Sequence, residues 1–169
     1  KLFGAHGSKL AIAAEEEIEA LLDTPGPGGG SVEHAASAAE AYVEHVASRF
    51  GTSLDGLRIA VDCANGAYSG IAPALLERLG AEVTAVACRP DGTNINRDCG
   101  ATDLALLADT VRAESLDLGV AFDGDGDRML AVDDRGDPVD GDQIVAVLAL
   151  ALGVDAVAVT SMTNLGFHR

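Results

Sequence analysis

Apolar positions along this chain change period several times, and each change marks an element. In "LRIAVD" (57–62), Leu57, Ile59 and Val61 alternate with their neighbours, the period of a strand. "EVTAVAC" (82–88) and "LDLGVAF" (116–122) are two further short apolar runs of strand length. Helical spacing fills the gaps. "IAPALLERLG" predicts a helix stopped by Gly80, and "DLALLADTVRAES" a helix capped by Thr102. The resulting β-α-β-α-β order predicts a mostly parallel α/β sheet flanked by helices. "MLAVDDRGDPV" then predicts a hairpin turning at Arg135-Gly136. Asp140 or Asp142 caps an apolar helix, "QIVAVLALALG", and "VDAVAVTSM" (154–162) predicts one more strand.

Upstream of residue 51 the texture differs. "KLFGAHGSKL" has a strand-turn-strand look, and "AIAAEEEIEALL" predicts an acidic helix with Ile12, Ile18, Leu21 and Leu22 near one face. "TPGPGGGS" (24–31) is a linker, because nothing in it can pack. A second helix follows, with Val32, Ala36, Ala39, Val43, Val46 and Phe50 on one stripe. A central α/β domain is therefore expected over 51–152, with partial neighbouring domains over 1–50 and 153–169. The chain opens without Met and stops just after a strand and turn, so it reads as a piece of something longer.

Charge narrows the chemistry. Eleven basic side chains face 27 acidic ones, a formal net charge of −16. Such a surface repels phosphate backbones and anionic membranes, so neither nucleic acid nor a membrane is an expected partner. Cations, or anionic substrates held through a cation, fit better. Aromatic residues are 4% of the chain and Trp is absent, so small aliphatic residues must build the core. Cys63, Cys88 and Cys99 are widely spaced and form no C-x-x-C, which suits reduced thiols in the cytoplasm. No apolar run reaches the roughly 18–20 residues needed to span a bilayer, and no signal peptide is visible. His6, His34, His45 and His168 form no metal spacing, and the glutamates at 15–17 read as a solvated helix face.

The sharpest chemistry lies in "FDGDGDR" (122–128). Asp123, Asp125 and Asp127 sit at every second position, directly after an apolar strand. In an extended segment such residues face one side and converge. Gly124 and Gly126 remove crowding side chains. Carboxylates that close repel, so either one is protonated or a cation sits among them. Hard oxygen donors suit Mg²⁺, Mn²⁺ or Ca²⁺. The carboxyl end of a buried parallel strand is also where open α/β sheets bind ligands. Arg128 could grip a phosphoryl group bidentately. Two plainer readings stay open. One is an acidic hairpin turn. The other is a calcium loop of the EF-hand kind, opposed by Arg128 where that loop needs Gly, by Asp134 where it needs Glu, and by strand-like flanks. "NGAYSG" (65–70) reads as a strand-helix turn, with a phosphate cradle as the rival. "DGTNINRDCG" is long and polar enough to border a site.

"FDGDGDR" resembles the metal-binding loop of the α-D-phosphohexomutase family, and the resemblance extends along nearly the whole chain. "AVDCANGAYSGIAPALLERLGAEV" resembles the opening of that family's second domain. "PDGTNINRDCGAT", "VDGDQI" and "SMTNLG" resemble the branch acting on glucosamine phosphates. The phosphomannomutase/phosphoglucomutase branch usually carries a Phe-Pro and His-containing segment in place of Asn94-Ile95-Asn96, and remains the alternative. The resemblance implies a four-domain enzyme around a central cleft. It would interconvert glucosamine 6-phosphate and glucosamine 1-phosphate through a phosphoserine and a bisphosphate intermediate, feeding UDP-N-acetylglucosamine and cell-wall synthesis. It also implies Mg²⁺ on Asp123, Asp125 and Asp127, Arg128 near the phosphate, and Lys1 as an acid/base. A homodimer is compatible with it. The phosphoserine motif and the sugar- and phosphate-binding loops have no counterpart in these residues, so this polypeptide alone is expected to be inactive. A stand-alone acidic cation-binding module is the rival from another class.

Overall fold

The computed structural model describes residues 2–168 except Pro25, His34 and Gly51, and leaves aside the side chains of Ala36 and His168. The chain forms two compact units, Lys1–Ala35 and Ala36–Arg169. In the first, Phe3 and Lys9 form an isolated antiparallel bridge around a turn closed by Gly4 N–H donating to Ser8 O at 2.9 Å. Helix α1 (Ile12–Glu19) follows and buries no residue.

The second unit is built on a five-stranded sheet. Its members are β1 (Arg58–Asp62), β2 (Glu82–Val86), β3 (Leu118–Phe122), β4 (Met129–Val132) and β5 (Pro138–Val139), in the order β2-β1-β3-β4-β5. β1 pairs parallel with β2 and with β3, as the alternation of strands and helices requires. The predicted hairpin adds β4 and β5 antiparallel, so the sheet is mixed. Helices α2 (Ala36–Phe50), α3 (Ala72–Arg78), α4 (Ala105–Glu114) and α5 (Gly141–Leu152) complete the unit.

Successive residues of β1 serve opposite faces. Ala60 joins Leu107, Ala108 and Val111 of α4 with Ala121 and Val132, whereas Val61 joins Cys63 and Ala72 with Tyr68, Leu76 and Phe122. A strand covered on both sides reads as a nearly continuous apolar run, which is why Ile59 to Asp62 are all buried. The layers approach closely because the residues between them are small. A Cβ on Gly119 would stand 2.8 Å from both Leu107 Cδ1 and Val132 Cγ2. α2 lies beside α3, with Arg78 Nη2 3.2 Å from Glu44 Oε2.

Capping explains the ends of α5. Asp140 accepts from Gln143 N–H and the Gln143 side chain accepts from Asp140 N–H, a reciprocal capping box, and Gly153 closes the helix in the left-handed region. Three expectations need correction. Thr102 does not cap α4. It is taken up in a 3₁₀ turn (Gly100–Thr102), and Asp103 Oδ1 accepts from Ala105 N–H at 3.1 Å instead. Val32 lies outside α2, which begins at Ala36. Residues 154–162 form no strand. An alternating pattern becomes one only against a neighbour's N–H and C=O groups, and Val154, Val157 and Val159 lie exposed without a ladder. Among the described residues no helix is long and apolar enough to cross a membrane.

Candidate metal centre

The run 123–128 joins β3 to β4. Asp123 N–H donates to Arg128 O at 3.1 Å, and Gly126 N–H to Asp123 O at 3.0 Å, drawing the segment into a tight turn. The three carboxylates converge through that turn, not through strand alternation. Gly126, at φ +75°, supplies the reversal. One carboxylate oxygen from each of Asp123, Asp125 and Asp127 lies within 4.8 Å of the others. Asp123 is buried, while Asp125 and Asp127 are exposed.

Arg128 supplies a counter-charge. Its backbone N–H donates to Asp123 Oδ1 at 3.0 Å and its Nε to Oδ2 at 2.8 Å, and Nε lies 3.6 Å from Asp127 Oδ1. The backbone N–H first, then the guanidinium, holds the Asp123 carboxyl below the usual carboxylate range, and Asp123 in turn reinforces the charge on Arg128. The Arg128 side chain is nevertheless 79% exposed. A cavity of about 300 Å³ opens beside these two residues, lined also by Ala101, Thr102, Met129 and Leu130.

The turn is backed by residues from three other segments. Ala67 N–H donates to Gly124 O at 2.9 Å, and a Cβ on Gly66 would collide with that carbonyl. A Cβ on Gly124 would meet Ile95 Cδ1 at 2.6 Å, and one on Gly126 would run into the Tyr68 ring. Tyr68 stacks on Phe122 with centroids 5.1 Å apart, and its hydroxyl is 3.0 Å from that of Tyr42 on α2. "NGAYSG" thus serves as a structural support. Its Gly66, Ala67 and Ser69 amides bond within the protein.

Asp62, at the carboxyl end of β1, clasps the polar loop. Its Oδ1 accepts from Ala64 N–H and its Oδ2 from Gly100 N–H, both at 2.8 Å. Burial pushes its carboxyl above the usual range, opposed by those two hydrogen bonds. Ala64, Asn65, Ala87, Asn96 and Asp98 all hold left-handed backbone here. Non-glycine residues accept that conformation at a cost, and such strain collects around functional sites.

Of the residues singled out in the sequence, Asp123, Asp125, Asp127 and Arg128 come together. Lys1 lies outside the described residues. The polar loop borders the turn through Ile95 and Asn96. Asp62 and Tyr68 were not legible as site residues. An acid closing an apolar strand run was a usable signal for Asp62, and Tyr68 carried none. The strand flanks exclude the EF-hand reading, which needs helices on both sides.

Three converging carboxylates form an all-oxygen donor set, which fits a hard divalent cation such as Mg²⁺. Arg128 already supplies positive charge at the same point.

The family model described as phosphoglucomutase/phosphomannomutase, alpha/beta/alpha domain II, matches residues 40–136. A phosphoglucosamine mutase of Symbiobacterium thermophilum is 47% identical over 182 residues, covering 99% of this chain and 40% of that protein. One from Staphylococcus haemolyticus is 43% identical and covers 100% of this chain and 41% of its own length. The chain thus spans about two fifths of these relatives. A phosphoglucomutase/phosphomannomutase family protein from Burkholderia thailandensis superposes with a TM-score of 0.62 at 27% identity, over 82% of this chain and 30% of that one. A chain from Thermus thermophilus shares the fold, with a TM-score of 0.64 at 21% identity over 87% of this chain and 36% of that one.

Proposed function

The chain belongs to the phosphoglucomutase/phosphomannomutase family, and on that premise we propose that it is the metal-holding part of a mutase interconverting glucosamine 6-phosphate and glucosamine 1-phosphate. The carrying observation is the convergence of Asp123, Asp125 and Asp127 beside Arg128 at the carboxyl end of β3, the central strand of the sheet. The name shared by the relatives supports the sugar.

In this reading the three aspartates hold Mg²⁺, which when bound supplies Lewis-acid polarisation of a phosphoryl oxygen. The chain's own residues do the rest. Asp123 is locked by Arg128 and stays ionised, ready as a ligand. Gly124 and Gly126 keep side chains out of the turn, and Ala67 and Tyr68 fix its position. Arg128 spends Nε on Asp123, yet its exposed guanidinium remains reachable by a phosphoryl group. The donated phosphoryl would come from a serine that has no counterpart motif here. It passes to the sugar's free hydroxyl, giving a bisphosphate. The sugar then turns and returns its other phosphoryl to the serine. Residues 51–152 would be the second domain of such an enzyme, with 1–50 and 153–169 belonging to its neighbours, working in the cytoplasm.

Calorimetric titration of the 169-residue chain with Mg²⁺ tests the reading. Binding that disappears in Asp123→Ala is expected. No Mg²⁺ binding, or a preference for Ca²⁺ by orders of magnitude, would sink it in favour of a cation-binding module. The chain alone should not turn over glucosamine 6-phosphate.

A further inference from the structure

Cys63 follows the end of β1 and Cys88 lies two residues past the end of β2. These strands are parallel neighbours, with Asp62 opposite Val86. Cys63 N–H donates to Val86 O at 3.3 Å, carrying the pairing one step beyond the ladder. Ala87 then turns into the left-handed region at φ +47°, and both cysteines join the same apolar cluster. Cys63 Sγ donates to Tyr68 O at 3.4 Å and Cys88 Sγ to Val86 O at 3.0 Å, so each thiol is held by a backbone carbonyl beside the strand ends. Cys99 is the contrasting thiol. It is buried, and Asn65 Nδ2 approaches its sulfur at 3.8 Å.

We propose that Cys63 and Cys88 form an oxidisable dithiol, a modification site that closes to a disulfide in response to a peroxide. The two positions have the asymmetry such a pair needs. Cys88 is partly exposed and reachable by a small oxidant, whereas Cys63 is fully buried and waits against it. The interaction between the two thiols favours ionisation of Cys88 and disfavours that of Cys63, which is also buried. The steps balance. The Cys88 thiolate attacks one oxygen of hydrogen peroxide and the O–O bond breaks. Cys88 becomes a sulfenic acid, and the departing hydroxide takes a proton to leave as water. The Cys63 sulfur then attacks the Cys88 sulfur, the S–O bond breaks, and the hydroxyl leaves with the Cys63 proton as a second water. Two thiols are oxidised and one peroxide is reduced. Neighbouring strands lie about 4.7–4.9 Å apart, inside the range of Cα separations, about 4.4–6.8 Å, that a disulfide spans.

The test treats the whole chain with equimolar hydrogen peroxide, then blocks remaining thiols and maps peptides by mass. The expected result is a Cys63–Cys88 cross-linked peptide lighter by two hydrogens, with Cys99 still a thiol. The free-thiol count falls from three to one. Cys99→Ser should leave the cross-link intact, and Cys88→Ser should abolish it. A sulfinic acid on Cys88 with Cys63 still a thiol would overturn the proposal. So would a cross-link through Cys99, or no change in thiol count.

Discussion

Two turns of this molecule share one construction and differ in what they can do. β4 is entered through 123–128 and left through 133–137. Each turn begins with an aspartate whose carbonyl accepts from a glycine three residues on, Gly126 at 3.0 Å and Gly136 at 2.9 Å. The glycines have matching φ angles, +75° and +76°. In each, an arginine Nε donates to the leading aspartate's Oδ2, Arg128 at 2.8 Å and Arg135 at 3.2 Å. In each, a backbone N–H and then the guanidinium lowers that aspartate's pKa, the largest cause being the Arg128 N–H for Asp123 and the Asp137 N–H for Asp133. Yet among the described residues the three-carboxylate cluster forms only at the first turn. The Asp123 side chain is 6% exposed and that of Asp133 is 29%. A Cβ on Gly126 would run into the Tyr68 ring, whereas one on Gly136 would meet the end of the Arg112 side chain and stand 3.0 Å from the Ala108 carbonyl oxygen. The difference teaches that Asp-Gly-Arg turn chemistry is common property of hairpins. What surrounds the turn decides whether its charges are aimed.

The largest effect that would break this comparison is on cation binding. Asp123→Ala should weaken Mg²⁺ binding by at least about 100-fold, judged against the roughly 10–100-fold typical of losing mere outer-shell partners. Calorimetry on the two proteins measures it, and a smaller loss would mean the cluster is not the site. Next come the glycines. Gly126→Ala combines left-handed strain with collision against an aromatic ring and should cost about 3 kcal/mol. Gly136→Ala shares the left-handed strain but meets the end of an exposed side chain and only grazes the Ala108 carbonyl, and should cost about 1–2 kcal/mol. Urea unfolding of both variants should therefore separate turns that look alike in sequence.

Asp62 sharpens the contrast further, since it clasps the loop beside the first turn. Asp62→Asn leaves one of the two amide donors without an acceptor and should cost about 2 kcal/mol near neutral pH. The pH dependence has a definite sign. Burial raises this carboxyl above its ordinary 3.8, so between that value and the raised one the folded chain holds the proton and the unfolded chain does not. Its contribution to stability is therefore full below that window and falls as pH climbs through it. Asp62→Asn has no such titration. The advantage of wild type over the variant in unfolding free energy should be widest on the acid side and narrow as pH rises. A constant gap would remove the buried charge from the explanation. The smallest effect is expected at the second turn, where Asp133→Asn should change Mg²⁺ affinity by less than about twofold, within the range of an exposed ion pair.

Much of the fold was legible because local rules and tertiary packing agreed. The β1-α3-β2 and α4-β3 segments alternate strand and helical spacing, and the Asp140 box and Gly153 stop act within one turn of chain. The carboxylate cluster was legible for another reason, since its three aspartates lie within five residues of sequence. What escaped depends on distance along the chain. Nothing near Asp62 announces Gly100, 38 residues on, and nothing near Tyr68 announces Gly126 or the Tyr42 hydroxyl. Thr102 misled because a 3₁₀ turn claimed it before α4 began. Residues 154–162 misled because a strand pattern is a promise that only a partner can redeem.

The two faces of the sheet meet their helices through Ala60, Ala72, Ala108, Ala121 and Gly119. That choice also sets how this protein ages under mutation. A single-base change in an alanine codon that alters the residue gives a larger side chain in every case but glycine. A core of leucines decays by hollowing out. This one decays by swelling, with helices forced off the sheet, and substitutions elsewhere that trim a neighbour are the natural rescue. Suppressors of a damaged Ala60 or Ala121 should therefore be sought across the layer, at Leu107 and Val111.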